Sequence, residues 1–169
     1  MHAADHTLTF DLPDEAATLA LGAAMARQVP RGAVVYLEGD LGAGKTTLVR
    51  GLLRALGHRG AVKSPTYNLV ELHAVSGLNL YHFDFYRFSQ PEEYLDAGLD
   101  EYFAGDGVCL VEWPDRAAPY LPAPDLRLRL VLAGDGRSAS FSAESERGRQ
   151  WLTSLGSPAA MSCASPPPA

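Results

Sequence analysis

Apolar and polar positions alternate through "HTLTFDL" near the start of the chain, a period of two that predicts a short strand. The period then lengthens. In "PDEAATLALGAAMARQV", Leu19, Ala23, Ala26 and Val29 recur near 3.6 residues, and Pro13 with the acids Asp14 and Glu15 suits a helical first turn. "AVVYLEG" is a continuous β-branched apolar run ending in Gly39, the signature of a strand buried on both faces. "KTTLVRGLLRALG" predicts a helix stopped by Gly57. "TYNLVELHAV" and "LNLYHFDFYRF" predict two strands turning near Gly77, and "QPEEYLDAGLDEYF" a helix with Pro91 in its first turn. "GVCLVEW" is a second buried strand. "DLRLRLVLAGDGRSASFSA" reads as a hairpin about Gly-Asp-Gly, and "ESERGRQWLTSL" as a last helix. Strands alternating with helices around buried strands predict an α/β fold, a mixed central sheet flanked by helices. One domain over residues 1–155 is expected, with 156–169, "GSPAAMSCASPPPA", read as a disordered Pro-rich tail.

Composition narrows this picture little. The 169 residues are 47% hydrophobic and 20% charged, enough for a single core. A formal net charge of −6 offers no global attraction to nucleic acid or membrane. Two cysteines, Cys109 and Cys163, make no disulfide framework. No basic-then-apolar leader and no long apolar run is present, so the expected place is the cytoplasm.

The candidate chemistry lies in "GDLGAGKTTLVRG", residues 39–51. Gly39, Gly44, Lys45 and Thr46 satisfy G-x-x-x-x-G-K-[ST], between an apolar strand and a helical pattern. Glycines let backbone N–H groups converge on phosphate oxygens, and the following helix aims its positive end at the same place. Lys45 would reach the β- and γ-phosphates, and the Thr46 hydroxyl would ligate Mg²⁺. This P-loop implies a nucleoside triphosphate with Mg²⁺; ATP as that nucleotide rests on the missing guanine motif and the family resemblance given below. Two acids end apolar strands, Glu112 in "VCLVEW" and Asp84 in "LYHFDF". Glu112 has the form of a Walker B acid and is assigned to magnesium; Asp84 is assigned to the nucleophilic water or the metal's outer shell. The opposite assignment also fits.

Two readings fit Thr66 in "KSPTYNL": a switch-like residue sensing the γ-phosphate, or part of a Ser-Pro turn entering a strand. Trp113 is either a core aromatic or a stacking surface. Arg50, Arg54, His58, Arg59 and Lys63 are the most basic stretch, either a solvated face or a surface for RNA or an acidic partner.

Together "GDLGAGKTTLVRG", "VKSPTYNLVE", "YHFDFYR" and "LVEWPD" resemble, in that order, the bacterial TsaE (formerly YjeE) family, over about Leu12 to Leu130. The loop is generic; its combination with "SPTY", "HFD" and "VEWP" is specific. The resemblance implies a small P-loop ATPase serving tRNA threonylcarbamoyladenosine formation. Its partners would be the TsaD-type threonylcarbamoyl-transferase subunit and that subunit's TsaB-type paralogous dimer partner. The product would be N6-threonylcarbamoyladenosine at position 37 of tRNAs reading codons that start with A, the tRNA being held mainly by the complex. By the same resemblance Gly42, Ala43, Gly44, Lys45, Thr46 and Thr47 take the phosphates, Thr46 and Glu112 take Mg²⁺, and Asp84 is catalytic with Lys45. Thr66 would be the switch-like residue, Trp113 part of the aromatic-after-acid motif, and Glu15 close to the base. Asn68 stands where the family more often has Thr and is unassigned.

A small-molecule or nucleoside kinase is the competing expectation. Asp84 would then be the base for an acceptor hydroxyl, with Arg87 and Arg116 clamping phosphate, yet the one stretch long enough for a lid, 86–105, is acidic. A GTP switch would usually carry Asn-Lys-x-Asp. The chain's lysines are Lys45 and Lys63, and neither follows Asn.

Overall fold

A computed structural model describes residues 7–156. The tail expected over 156–169, apart from Gly156, lies outside the described residues, as does Cys163. Seven strands form one mixed sheet, flanked by helices, in the order β1-β7-β6-β2-β5-β4-β3. They are β1 (Thr7–Leu12), β2 (Val34–Glu38), β3 (Val70–Val75), β4 (Leu78–Asp84), β5 (Val108–Glu112), β6 (Leu126–Ala133) and β7 (Gly136–Ala143). β2, β5 and β4 run parallel side by side, as does β2 with β6, while β1–β7, β6–β7 and β3–β4 are antiparallel. β2 and β5 are the two strands whose sequences are apolar up to a final glutamate, and they occupy the middle of the sheet.

The period of two divides their side chains between two cores. Val35, Leu37 and Leu110 pack under α1 (Glu15–Ala26), α2 (Lys45–Ala55) and α4 (Glu146–Leu155). Val34, Tyr36, Cys109 and Val111 meet a second, aromatic cluster with Phe83, Phe85, Phe88 and Tyr94. The helix expected over 90–103 does not form as one piece. It is the four-residue helix α3 (Glu93–Asp96) and a 3₁₀ segment, Leu99–Phe103, separated at Gly98 with φ 65°. A glycine free to turn left-handed interrupts the run, and Tyr94 and Leu99 are buried from the two pieces separately.

Other boundaries also differ from expectation, and β4 ends at Asp84 rather than Phe88. Asp14 stands outside α1 as its N-cap, its Oδ1 accepting from Ala17 N at 2.9 Å, so Glu15 is the first helical residue. β3 begins at Val70 rather than Thr66. Residues 66–69 are a turn closed by Leu69 N donating to Pro65 O at 2.9 Å, with Leu69 at φ 67°.

α1 and α2 cross with glycine on each side. A Cβ on Gly51 would lie 2.8 Å from Leu19 Cα and nearer still to Leu19 O; one on Gly22 would lie 2.8 Å from Leu52 N and nearer to Leu48 O. The helices touch backbone to backbone, which holds the start of α2 against α1.

Candidate functional site

Parallel neighbours end together, so the C-terminal ends of β2, β5 and β4 open onto one edge of the sheet. β2 leads into the 39–44 loop. On β5 and β4, Glu112 and Asp84 are register partners. Both point to the α2 side, because the alternate residues Val111, Phe83 and Phe85 fill the opposite core. Both carboxylates are buried, and burying acids requires partners.

Those partners are specific. Glu112 Oε2 accepts from Thr46 Oγ1 at 3.4 Å and from Ser64 Oγ at 3.4 Å, and it lies 2.6 Å from His82 Nε2. Asp84 Oδ2 accepts from Thr66 Oγ1 at 3.3 Å and from Ser64 Oγ, while its Oδ1 accepts from Tyr86 N at 2.9 Å. Ser64 thus bridges the two acids. Glu112 stands beside the hydroxyl of Thr46, and Asp84 beside that of Thr66.

Lys45 opens α2 after the N-cap Gly44, which takes φ 103°. Its ammonium donates to Gly39 O, the first loop residue, and lies 4.2 Å from the centroid of the Trp113 ring. Burial pulls its pKa below the ordinary lysine value, opposed by the charges of Glu112, Asp84, Asp40 and Asp115. Trp113 is half-buried in the wall of the cleft and adopts φ 56°, an uncommon conformation for a bulky residue immediately after a site carboxylate.

The cleft has a volume of about 390 Å³. It is lined by Gly42, Ala43, Gly44, Lys45, Thr46 and Thr47, by Asp84 and Glu112, and by Glu15, Thr66 and Trp113. Every residue that the TsaE resemblance assigns to the nucleotide therefore lines it, while Gly39, the first glycine of the loop motif, does not and instead accepts from Lys45. Of the basic stretch, Arg50 is drawn inward, donating to Val62 O at 3.3 Å and lying 3.9 Å from Glu15.

Sequence reasoning missed His82, Ser64 and Arg137. A polar residue two before Asp84 in an apolar strand, hence on the same face, is the signal that would have found His82. Ser64 stands beside the Pro65 of a turn, and nothing in that setting marks it. Arg137 is 95 residues from Gly42, whose carbonyl it holds, and nothing local to it reports that contact.

Residues 12–139 match the family described as threonylcarbamoyl adenosine biosynthesis protein TsaE. The tRNA threonylcarbamoyladenosine biosynthesis protein TsaE of Haemophilus influenzae is 40% identical over 154 residues, covering 88% of this chain and 98% of that protein. Its namesake in Bacillus subtilis is 44% identical over 137 residues, covering 80% of this chain and 84% of that protein. The crystal structure of Bacillus subtilis YdiB superposes with a TM-score of 0.73 at 35% identity, covering 88% of this chain and 93% of that one. A match through most of the chain, from the end of β1 into β7, takes in the loop and both strand-end acids, and this chain belongs to the TsaE family.

Proposed function

We propose that the chain binds ATP with Mg²⁺ in this cleft and hydrolyses it in support of tRNA threonylcarbamoyladenosine formation. The single observation that carries the reading is the convergence of Lys45, Thr46, Glu112 and Asp84 at one strand-end edge, in front of a glycine loop and a helix N-terminus. Family membership and the names of the curated relatives support the tRNA-modification role.

The residues suit the nucleotide chemically. Loop N–H groups and the start of α2 would bind phosphate, with Lys45 reaching over the β- and γ-phosphates. The Thr46 hydroxyl and the Glu112 carboxylate form an all-oxygen pair, the donor type Mg²⁺ takes while keeping waters and phosphate oxygens as its other ligands. When bound, that ion neutralises charge on the transferring phosphoryl group. Asp84 would orient and accept a proton from the attacking water, held at Oδ1 by Tyr86 N and facing the Thr66 hydroxyl through Oδ2. His82 would hold Glu112 in place through its Nε2. Thr66 would close on the γ-phosphate and release after hydrolysis, changing the surface offered to a partner.

The partners would be the transferase subunit and its paralogous dimer partner, which would carry most of the tRNA. The chain's net charge of −6 supports that division. No helix among the described residues is long and apolar enough to cross a membrane. The kinase reading finds less support. Arg116 donates to Tyr86 O at 3.2 Å and Phe88 O at 3.4 Å, Arg87 stacks on Tyr67 at 4.0 Å, and neither lines the cleft.

Phosphate release from ATP, measured for the chain alone and then with the transferase pair and tRNA, tests this. A low basal rate that rises with the partners is expected. A rate indifferent to them, or a phosphorylated metabolite as product, would refute it.

A further inference from the structure

The phosphate loop contains three glycines at positive φ, Gly39 at 149°, Gly42 at 81° and Gly44 at 103°, and such a loop is costly to order. One side chain from a distant strand grips it. Arg137, the second residue of β7, donates through Nη2 to Gly42 O at 3.1 Å and through Nε to Ala43 O at 3.1 Å. These two nitrogens form one edge of the guanidinium fork and span two consecutive carbonyls. The remaining Nη1 donates to Gly136 O at 3.0 Å, which fixes the plane of the group against its own strand.

Holding a carbonyl fixes its whole peptide plane, because the bond is planar and trans. The N–H groups across those two planes belong to Ala43 and Gly44. Ala43 N donates to Asp40 O at 3.0 Å, closing the loop's turn, and Gly44 is the N-cap of α2. The fork therefore sets the turn and the orientation of the Ala43–Gly44 peptide, one bond before the peptide that leads into Lys45. Its own base is firm: a Cβ at Gly136 would lie 2.9 Å from Pro13 Cα and nearer still to Leu12 O, so β7 begins pressed against the junction of β1 and α1. Arg137 also lines the cleft.

We propose that Arg137 is a positioning residue for nucleotide binding, acting through the carbonyls of Gly42 and Ala43 to keep the phosphate loop in its binding shape before nucleotide arrives. Ordering the loop in advance lowers the entropy cost of binding and raises affinity without new contacts to the ligand. The inference rests on the nucleotide-site reading above. The β-phosphate is common to ADP and ATP, so the benefit is shared by both.

The test compares the full chain with its Arg137→Ala and Arg137→Lys variants, titrating each calorimetrically with Mg-ADP and Mg-ATP and recording thermal midpoints without nucleotide. Arg137→Ala should weaken ADP and ATP by the same factor, at least about tenfold, the scale of losing hydrogen bonds from a charged donor. Methylguanidinium at millimolar concentration should restore part of the loss. KM for ATP should rise more than kcat falls. Arg137→Lys keeps the charge but lacks the fork, so it too should bind several-fold more weakly, with a midpoint near that of the parent. Loss confined to ATP, unchanged affinity in Arg137→Ala, or an Arg137→Lys variant equal to the parent would overturn the inference while the parent still binds. A parent chain that binds neither nucleotide would instead overturn the site reading, and the inference with it.

Discussion

Replacing Gly51 with alanine tests the packing that delivers Lys45 and Thr46 to the cleft. Gly51 lies six residues into α2, where α1 crosses it. Helix propensity alone favours the change by about 1 kcal/mol. Sterics oppose it. The new Cβ would stand 2.8 Å from Leu19 Cα and 2.9 Å from Leu19 C, closer than any real Cβ contact. Carbon atoms pack at about 3.5–4.0 Å, so the helices must separate by roughly 0.7 Å or more. The obstacle is backbone and cannot change rotamer, which puts overpacking near the top of its range, about 3 kcal/mol. The net cost is then about 2 kcal/mol, or a fall of about 4–8 °C in Tm for a domain of this size. Gly22 sits on the other side of the same crossing, facing Leu48 and Leu52. Once one alanine has spread the helices, the second costs less. The double variant should therefore lose less than the sum of the two single losses, with a coupling of about 1 kcal/mol. Urea denaturation of the four proteins gives the cycle. A Gly51→Ala variant as stable as the parent, or more so, would refute the reasoning, because propensity would then have outweighed contact.

Three further outcomes are expected, two at the site and one in the core beneath it. Asp84→Asn and Glu112→Gln should each lower ATP turnover by about 100-fold or more while circular dichroism stays that of the parent, and full activity in both would remove these residues from the chemistry. Trp113→Ala takes away the ring 4.2 Å from the Lys45 ammonium, which should weaken Mg-ADP binding by about fivefold, the scale of a partly desolvated cation–π contact, as read by calorimetry. Burial pushes the Cys109 thiol up to about 12, so it stays protonated at pH 8 and should resist a thiol reagent in the folded chain, then react once urea is added. Reaction of Cys109 in the native chain would place it outside the core. The same shift has a consequence for stability. The unfolded thiol ionises near its ordinary 9.0 while the folded one does not, so its contribution favours folding below that value and is lost as pH rises above it.

What could be read from the sequence is what is local. The glycine loop, β2 before it and α2 after it are consecutive, and the spacing of Gly39, Gly44, Lys45 and Thr46 is legible without any distant partner. The alternation of strands and helices was enough for an α/β sheet flanked by helices. Glu112 and Asp84 stood out because an acid ending an apolar strand needs a reason. Their adjacency was not legible, since it depends on β4 and β5 pairing in parallel at one register, and the 23 residues between the two strands carry no mark of it. The single helix expected over 90–103 failed because its apolar spacing persists across Gly98, where the backbone turns left-handed. Trp113, open between core and surface in sequence, proves to be the wall under Lys45. Ser64, His82 and Arg137 escaped notice because each works through a partner supplied by another element: the acids for Ser64, β5 for His82 and the loop carbonyls for Arg137.

The measurement that bears most directly on the account is an equilibrium titration of the purified chain with Mg-ATP, followed by calorimetry beside the Lys45→Ala variant. The account predicts saturable binding of one nucleotide per chain, dependent on Mg²⁺ and lost in the variant. Absence of binding by the parent chain, or binding that Lys45→Ala leaves intact, would contradict it.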